Sequence, residues 1–306
     1  MKPLALSTMF AQQERFSDGG VFARFAAESG YDAIEVSHST REEKLLQILS
    51  AGHLPVTSLH QPAPWVPHHD GRGNSHCNLA SIDRDERRSA VEYASVSVEW
   101  AARIGAARLV VHLGQVTDVR DMLREELEMR RMFDGGRAGE ERYLELKEAA
   151  IAQRKAEAEP YLAAARESLL ELVRAAEPQR VAIGLENRYH YHEIPQPEEY
   201  DELLDGLAPE QAGYWHDTGH AEVLHRLGFI DRHEWLRRNR DRIIGAHLHD
   251  VLGIGDHRAP GDGDVEWGYI VAGLRHLSSY TLEINQHQGD DLVKGAPGFL
   301  ASVGLL

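Results

Sequence analysis

The chain carries a single cysteine, Cys77, in 306 residues. That excludes an internal disulfide and any Cys-rich zinc site, and it fits a reducing compartment. No apolar run approaches the roughly 20 residues that a membrane helix needs. The N-terminal MKPLALSTMF has one Lys and only a short apolar patch, so it reads as a first strand rather than a signal peptide. These absences predict a cytoplasmic protein with no membrane partner. No Gly-rich fingerprint follows the first strand, GGRAGEER lacks the Gly-Lys-Ser/Thr ending of a phosphate loop, and no Ser sits in a nucleophile elbow. Positive charge is in deficit: 33 Lys and Arg stand against 49 Asp and Glu, a formal charge of −16. Such a chain repels polyanions, and its basic residues do not cluster with aromatics, so nucleic acid is not an expected partner.

Histidine, by contrast, is plentiful at 18. Many histidines with almost no cysteine favour nitrogen and oxygen ligands for any metal. Short β-rich runs alternate with amphipathic stretches. The runs are PLALST (3–8), AIEVS (33–37), PVTSLH (55–60), RLVVHLG (108–114), VAIGLEN (181–187), GYWHD (213–217), IIGAHLHD (243–250) and YTLEIN (280–285). Helix candidates lie between them at 19–29, 41–51, 84–104, 161–176, 197–205, 232–241 and 266–276. Eight β/α units predict an α/β fold, a single (β/α)8 TIM barrel over 1–306, whose plain form needs about 250 residues. The excess lies at 115–160, a charged helical stretch read as an insertion after the fourth strand. It is either a solvated excursion or a lid or homo-oligomer contact, because barrel active sites sit at strand ends.

Alternate side chains of a strand face opposite ways. Val181, Ile183 and Leu185 pack outward, which turns Glu186 inward. Leu282 and Ile284 likewise turn Glu283 inward, and the same parity sends Glu35, His60, His112, His247 and His249 to the barrel axis. Asp217 closes its strand, with His220 three residues on. These ends converge on the face that carries barrel active sites, at about one residue per β/α unit. A lone inward Glu can pair with an Arg, and a lone His can be a core hydrogen bonder. The set together has too little inward basic charge for that, so it predicts a divalent cation (Mn, Zn, Mg or Fe). Cys77, the Trp65–Pro67 loop and the His68–His69 pair form no comparable constellation.

The motifs GYDAIEV, SLHQPAP, VVHLG, GLEN, HDTGH, HLHD followed by GDHRAPGDGDVEW, and TLEI run in the order seen in the xylose isomerase-like TIM barrels. The chain resembles this sugar phosphate isomerase/epimerase group, related to endonuclease IV, over nearly its whole length except 115–160. The resemblance implies a metal quartet of Glu186, Asp217, His247 and Glu283, with His249 the less favoured ligand of its strand. His60, His112, His220 and His257 match most of the extra ligands by which endonuclease IV holds three zinc ions. The Asp of its Asp-x-His falls on Gly255, with Asp256 next to it, which speaks against a full trinuclear site.

The resemblance implies a divalent-metal-dependent isomerase or epimerase of a small sugar, polyol or keto compound, working through an enediolate. Glu186 and Glu283 are then the acid/base pair, and His220 and Arg258 hold substrate oxygens. One ion per chain is expected. The alternative is a multinuclear metal-dependent hydrolase or lyase, in which His60, His112, His220, His249 and His257 build a second or third metal site.

Overall fold

The structure is a computed structural model that describes residues 2–117 and 123–306. From the N-terminus run β1 (Leu4–Ser7), α1 (Gly19–Glu28), β2 (Ala33–Val36), α2 (Glu42–Ala51), β3 (Val56–His60), α3 (Arg84–Ile104) and β4 (Arg108–Val111). Then come β5 (Gly114–Gln115), α4 (Arg124–Asp134), α5 (Glu141–Ala176), β6 (Ala182–Glu186), β7 (Glu193–Ile194), α6 (Tyr200–Leu203), β8 (Ala212–Asp217) and α7 (Thr218–Arg226). The chain ends with α8 (Arg232–Asn239), β9 (Ile243–Leu248), β10 (Asp250–Leu252), β11 (Gly255–Arg258), α9 (Trp267–Leu274), β12 (Tyr280–Leu282) and α10 (Asp290–Ser302).

The eight expected strands are the eight barrel strands. They close in the order β1-β12-β9-β8-β6-β4-β3-β2, and β1 pairs in parallel with both β2 and β12. The parity argument holds. Leu4, Leu6, Ile34, Val36, Leu59, Leu109, Val111, Ile183, Leu185 and Leu282 are buried in one continuous core. Burying such rows against the helices is the main favourable term of folding. Inside the barrel Trp215 fills the floor. A Cβ at Gly245 would lie 2.0 Å from its ring, and one at Gly184 would lie 2.9 Å away, so both glycines make room for the indole.

Helix ends follow sequence chemistry. Asp83 caps α3 by accepting from Asp85 and Glu86 N–H, and Gly105 ends it in the left-handed region at φ 76°. Two helices lie outside the expected set, α7 and α10. The helix expected at 161–176 is the second half of α5, which runs unbroken through Pro160 from Glu141. The 115–160 stretch therefore passes into a barrel helix with no break at its C-terminal end. Within it, Met129 and Met132 pack on Tyr143 and Leu146 in a small cluster apart from the main core. Glu126 is fully buried, paired with Arg130, and accepts from Tyr191 N–H at 3.0 Å. So α4 is tied to the loop that follows β6. Residues 118–122 of this stretch lie outside the described residues. Among the described residues, no helix is long and apolar enough to cross a membrane.

Candidate metal and active site

Two groups of ligand-type side chains sit at the C-terminal ends of the strands. The first joins His60 of β3, Glu186 of β6, His247 of β9 and Glu283 just beyond β12. All four are buried, and one ligand atom from each lies within 4.8 Å of the others. His247 Nδ1 is 2.5 Å from Glu186 Oε1 and 3.0 Å from Glu283 Oε2. His247 Nε2 meets Glu35 Oε1 at 2.8 Å, and Ser58 Oγ donates to the other Glu35 oxygen at 2.6 Å. Three fully buried carboxylates thus surround one imidazole.

Electrostatics follow from that crowding. Burial disfavours the imidazolium of His247, but Glu35, Glu283 and Glu186 outweigh it and hold its pKa well above the usual value. Burial would raise Glu186 and Glu283. The histidines around them, His60 and His247, win instead, and both carboxyls stay ionised well below the ordinary range. Arg188 lies beside Glu186 at 2.5 Å and donates to His112 Nε2 at 2.6 Å, which makes that nitrogen an acceptor. His112 is held neutral by burial and by Arg188.

The second group joins Asp217, His220, His249 and His257. Asp217 caps α7 and accepts from His220 N–H at 2.7 Å. His249 Nε2 lies 2.9 and 3.0 Å from the two Asp217 oxygens. Its Nδ1 accepts from His257 N–H at 2.8 Å, and the two rings stack 4.3 Å apart. His220 Nδ1 meets the Asn187 carbonyl at 2.9 Å. Asp256, on β11, contacts His257 Nδ1 at 3.0 Å and His220 Nε2 at 3.8 Å. It stands close to both histidines even though the Asp-x-His spacing falls on Gly255. Asp217 is pushed down to about 2: burial raises it, and His220 and His249 outweigh burial. His257 is raised to about 9, because Asp256 overcomes burial. Gly219 of the HDTGH motif makes this group possible, since a Cβ there would lie 2.0 Å from the His249 ring.

The structure therefore divides the expected quartet. Glu186, His247 and Glu283 gather with His60, while Asp217 gathers with His249, and the groups meet where His247 Nδ1 lies 3.7 Å from Asp217 Oδ2. His112 borders the first group, 3.0 Å from Glu186. Arg258 is turned into its own loop, donating to Asp262. His68 and His69 stack on each other, with His68 against Ser89. Arg188 was missed by sequence reasoning, although the parity that turns Glu186 inward turns residue 188 inward too. It supplies inward positive charge and pairs Glu186, so the carboxylates are not wholly uncompensated.

Glu283 decides whether the first group fits a cation. The residue is 1% exposed, and its oxygens meet only imidazole nitrogens, Oε2 at 3.0 Å from His247 Nδ1 and Oε1 at 3.4 Å from His60 Nδ1, neither in good hydrogen-bond geometry. His247 Nδ1 lies closer to Glu186, at 2.5 Å, and is shared between the two carboxylates. Two buried carboxylates that share one imidazole nitrogen are incompletely compensated, and a buried charge so placed costs several kcal/mol. A divalent ion among Glu186, Glu283, His247 and His60 would satisfy all these atoms, and the oxygen and nitrogen donors suit Mn²⁺, Zn²⁺, Mg²⁺ or Fe²⁺.

The profile of the xylose isomerase-like TIM barrel family matches residues 23–303. The chain belongs to that family. The chain is 23% identical over 266 residues to the uncharacterized protein y4fM of Sinorhizobium fredii, covering 86% of this chain and 68% of that one. Among solved structures it is similar to a D-tagatose 3-epimerase-like protein, at 19% identity and TM-score 0.66 over 99% of this chain and 97% of the other. It is also similar to the 3-keto-D-glucoside 4-epimerase YcjR of E. coli, at 15% identity and TM-score 0.66 over 99% and 100%. At these identities the likeness establishes the family barrel, and the chemistry rests on the site.

Proposed function

We propose that this xylose isomerase-like barrel is a divalent-metal-dependent epimerase or isomerase of a keto sugar or related polyol, with Glu186 and Glu283 as its acid/base pair. The observation that carries the reading is the fully buried Glu283, which has to share one imidazole nitrogen of His247 with Glu186. The likeness to structures named as epimerases supports it. Glu186, His247, Glu283 and His60 would hold the ion, with Asp217 at its border. When bound, a divalent cation supplies Lewis-acid polarisation of a substrate carbonyl.

The residues do the rest. Glu283, ionised at neutral pH, removes the proton from the carbon next to the carbonyl, and the electron pair moves onto the carbonyl oxygen. Glu186, ionised at rest, takes up a proton from solvent and delivers it to the opposite face of that carbon, or to its neighbour, which inverts the centre or moves the carbonyl. Glu283 releases the proton it took to solvent, so that each turnover is proton-neutral. Arg188 fixes Glu186 so that its oxygen stays aimed. Arg188 and the part-exposed His112 stand at the open side, where substrate oxygens arrive. In this reading they replace His220 and Arg258, which are engaged with Asn187 and Asp262.

A second reading, a multinuclear hydrolase or lyase, is favoured by the Asp217, His220, His249 and His257 group. Two or three tightly held ions per chain would promote it, as would metal-dependent incision of abasic-site DNA that disappears in Glu186→Gln. The test of the first reading is solvent deuterium entering the substrate carbon next to the carbonyl. Exchange in the wild type that persists at the same rate in Glu283→Gln would remove the two-carboxylate mechanism.

A further inference from the structure

A cavity of about 500 Å³ opens from the His112 and Arg188 edge of the first group. It runs between the 72–83 loop with the first turn of α3 and the β5 and β7 strands, and it lies within the size range of small-molecule sites. Its inner end is shared with the site, while its outer end reaches Arg72, Ser75 and Cys77. Of its fourteen lining residues, only Cys77 and Gly114 lack a polar side chain. The wall is preformed. Asn78 donates to the carbonyls of Gln115 and Thr117 and accepts from Ala80 and Gln115 N–H. Gly114, at φ 122°, has no room for a Cβ, which would lie 2.3 Å from Asn78 Oδ1.

The charges in this wall are spent. Arg72 is held by Glu86 and by Asp70, and Arg188 by Glu186 and Glu193. Asp83 caps α3. Counting the lining residues, two Arg stand against Asp83, Glu86 and Glu193, so no net positive charge awaits an anion. A phosphate would meet paired guanidiniums and surplus carboxylate. A neutral, hydroxyl-bearing group would meet a polar wall that includes Ser75, His76 and His190.

We infer that the substrate carries a second, uncharged hydroxylated unit, such as a glycosyl group, which this cavity binds while the keto sugar sits at the metal group. The inference rests on the epimerase reading for the reacting end and on the cavity alone for the second unit. Three probes separate the classes: fructose, 6-O-glucosyl-fructose and fructose 6-phosphate. Each is titrated calorimetrically into Mn²⁺-loaded protein, wild type and Ser75→Trp. Ser75 is exposed at the cavity wall, so an indole there fills space without disturbing the core, and unchanged thermal unfolding verifies this.

The glucosyl ketose is expected to bind about ten-fold tighter than fructose, the yield of about two net hydrogen bonds. The phosphate is expected to bind no tighter than fructose, and Ser75→Trp to bring the glucosyl ketose down to the fructose value. Equal affinity of the two neutral probes, tightest binding of the phosphate, or an unaltered gain in Ser75→Trp overturns the inference. Solvent deuterium exchange on the same ketoses reads the chemistry separately. Exchange on fructose without a glucosyl gain sinks the cavity inference alone. A glucosyl gain lost in Ser75→Trp, with exchange on none of the ketoses, sinks the epimerase reading and keeps the cavity.

Discussion

The two groups at the barrel mouth use the same residue types and differ in how their atoms are spent. Around Asp217 the main donors and acceptors find each other: His249 and the His220 N–H serve Asp217, His257 N–H serves His249, and the Asn187 carbonyl serves His220. Around Glu283 acceptors outnumber donors: three buried carboxylates crowd His247, and Glu283 has to share its Nδ1 with Glu186. Ligand-type residues in proximity are therefore not enough to mark an ion site. A buried charge that the protein compensates poorly is the stronger mark, and on that ground we propose the first group as the cation site and read the second as the better satisfied cluster.

The largest expected effect breaks the first group. Glu283→Gln keeps the shape and removes both charge and basicity, so turnover should fall on the order of 10²- to 10⁴-fold and metal retention should weaken. Glu186→Gln should behave alike, whereas Glu43→Gln on the exposed side of α2 should leave both unchanged. Steady-state kinetics and metal analysis read this.

Next comes Glu35, which touches no substrate and orients His247 through Nε2. Glu35→Ala should weaken metal affinity by about 10- to 100-fold, the span usual for a carboxylate behind a ligating histidine. Glu35→Gln keeps an acceptor and should recover part of the loss. A merely structural role would leave affinity unmoved while lowering the melting temperature.

The pH dependence of the metal-free protein reads the buried rings of both groups together. Burial holds His38 down to about 4 and His216 to about 3, and lowers His112 and His220 as well. The unfolded chain takes up these protons near pH 6.5, so their contribution is complete above that pH. It is lost as pH falls from about 6.5 toward 3. His247, raised well above its usual value, and His257, raised to about 9, work the other way, losing their contribution as pH climbs above 6.5. Thermal unfolding should therefore peak near neutrality, with an acid-limb loss on the order of a few kcal/mol. A flat acid limb would contradict the burial of these rings.

The smallest effect sharpens the comparison from the other side. His249→Asn leaves Asp217 short of a partner and should cost about 1–3 kcal/mol in stability, while affinity for the first metal equivalent changes by less than about three-fold. A collapse of that affinity would move the ion to the Asp217 group.

Much of this arrangement was legible in the sequence, because a strand fixes side-chain direction by parity. The eight runs are the barrel strands, and Glu35, His60, Glu186 and His247 point where alternation sends them. Arg188 obeys the same rule and was simply not followed past the end of its strand. His249 was harder to place. β9 ends at Leu248 and the chain turns into the β10–β11 hairpin, so parity no longer governs the next residue. Asp217 is drawn toward α7 because it caps that helix, a tertiary role that its position at the end of a strand conceals. The α5 boundary was obscured by charge, since its first half buries only a narrow stripe, Tyr143, Leu146, Ala150, Arg154 and Ala158, between charged residues. Glu126 is buried there only because Arg130, His190 and Tyr191 N–H meet it.

The most direct test of the cation site is the number of divalent ions each chain retains after dialysis against metal-free buffer, measured by elemental analysis on wild type, Glu283→Gln and His249→Asn. The account expects one ion per chain in the wild type, loss of that ion in Glu283→Gln, and its retention in His249→Asn. Two or three ions in the wild type, or one ion that survives Glu283→Gln and disappears in His249→Asn, would contradict it.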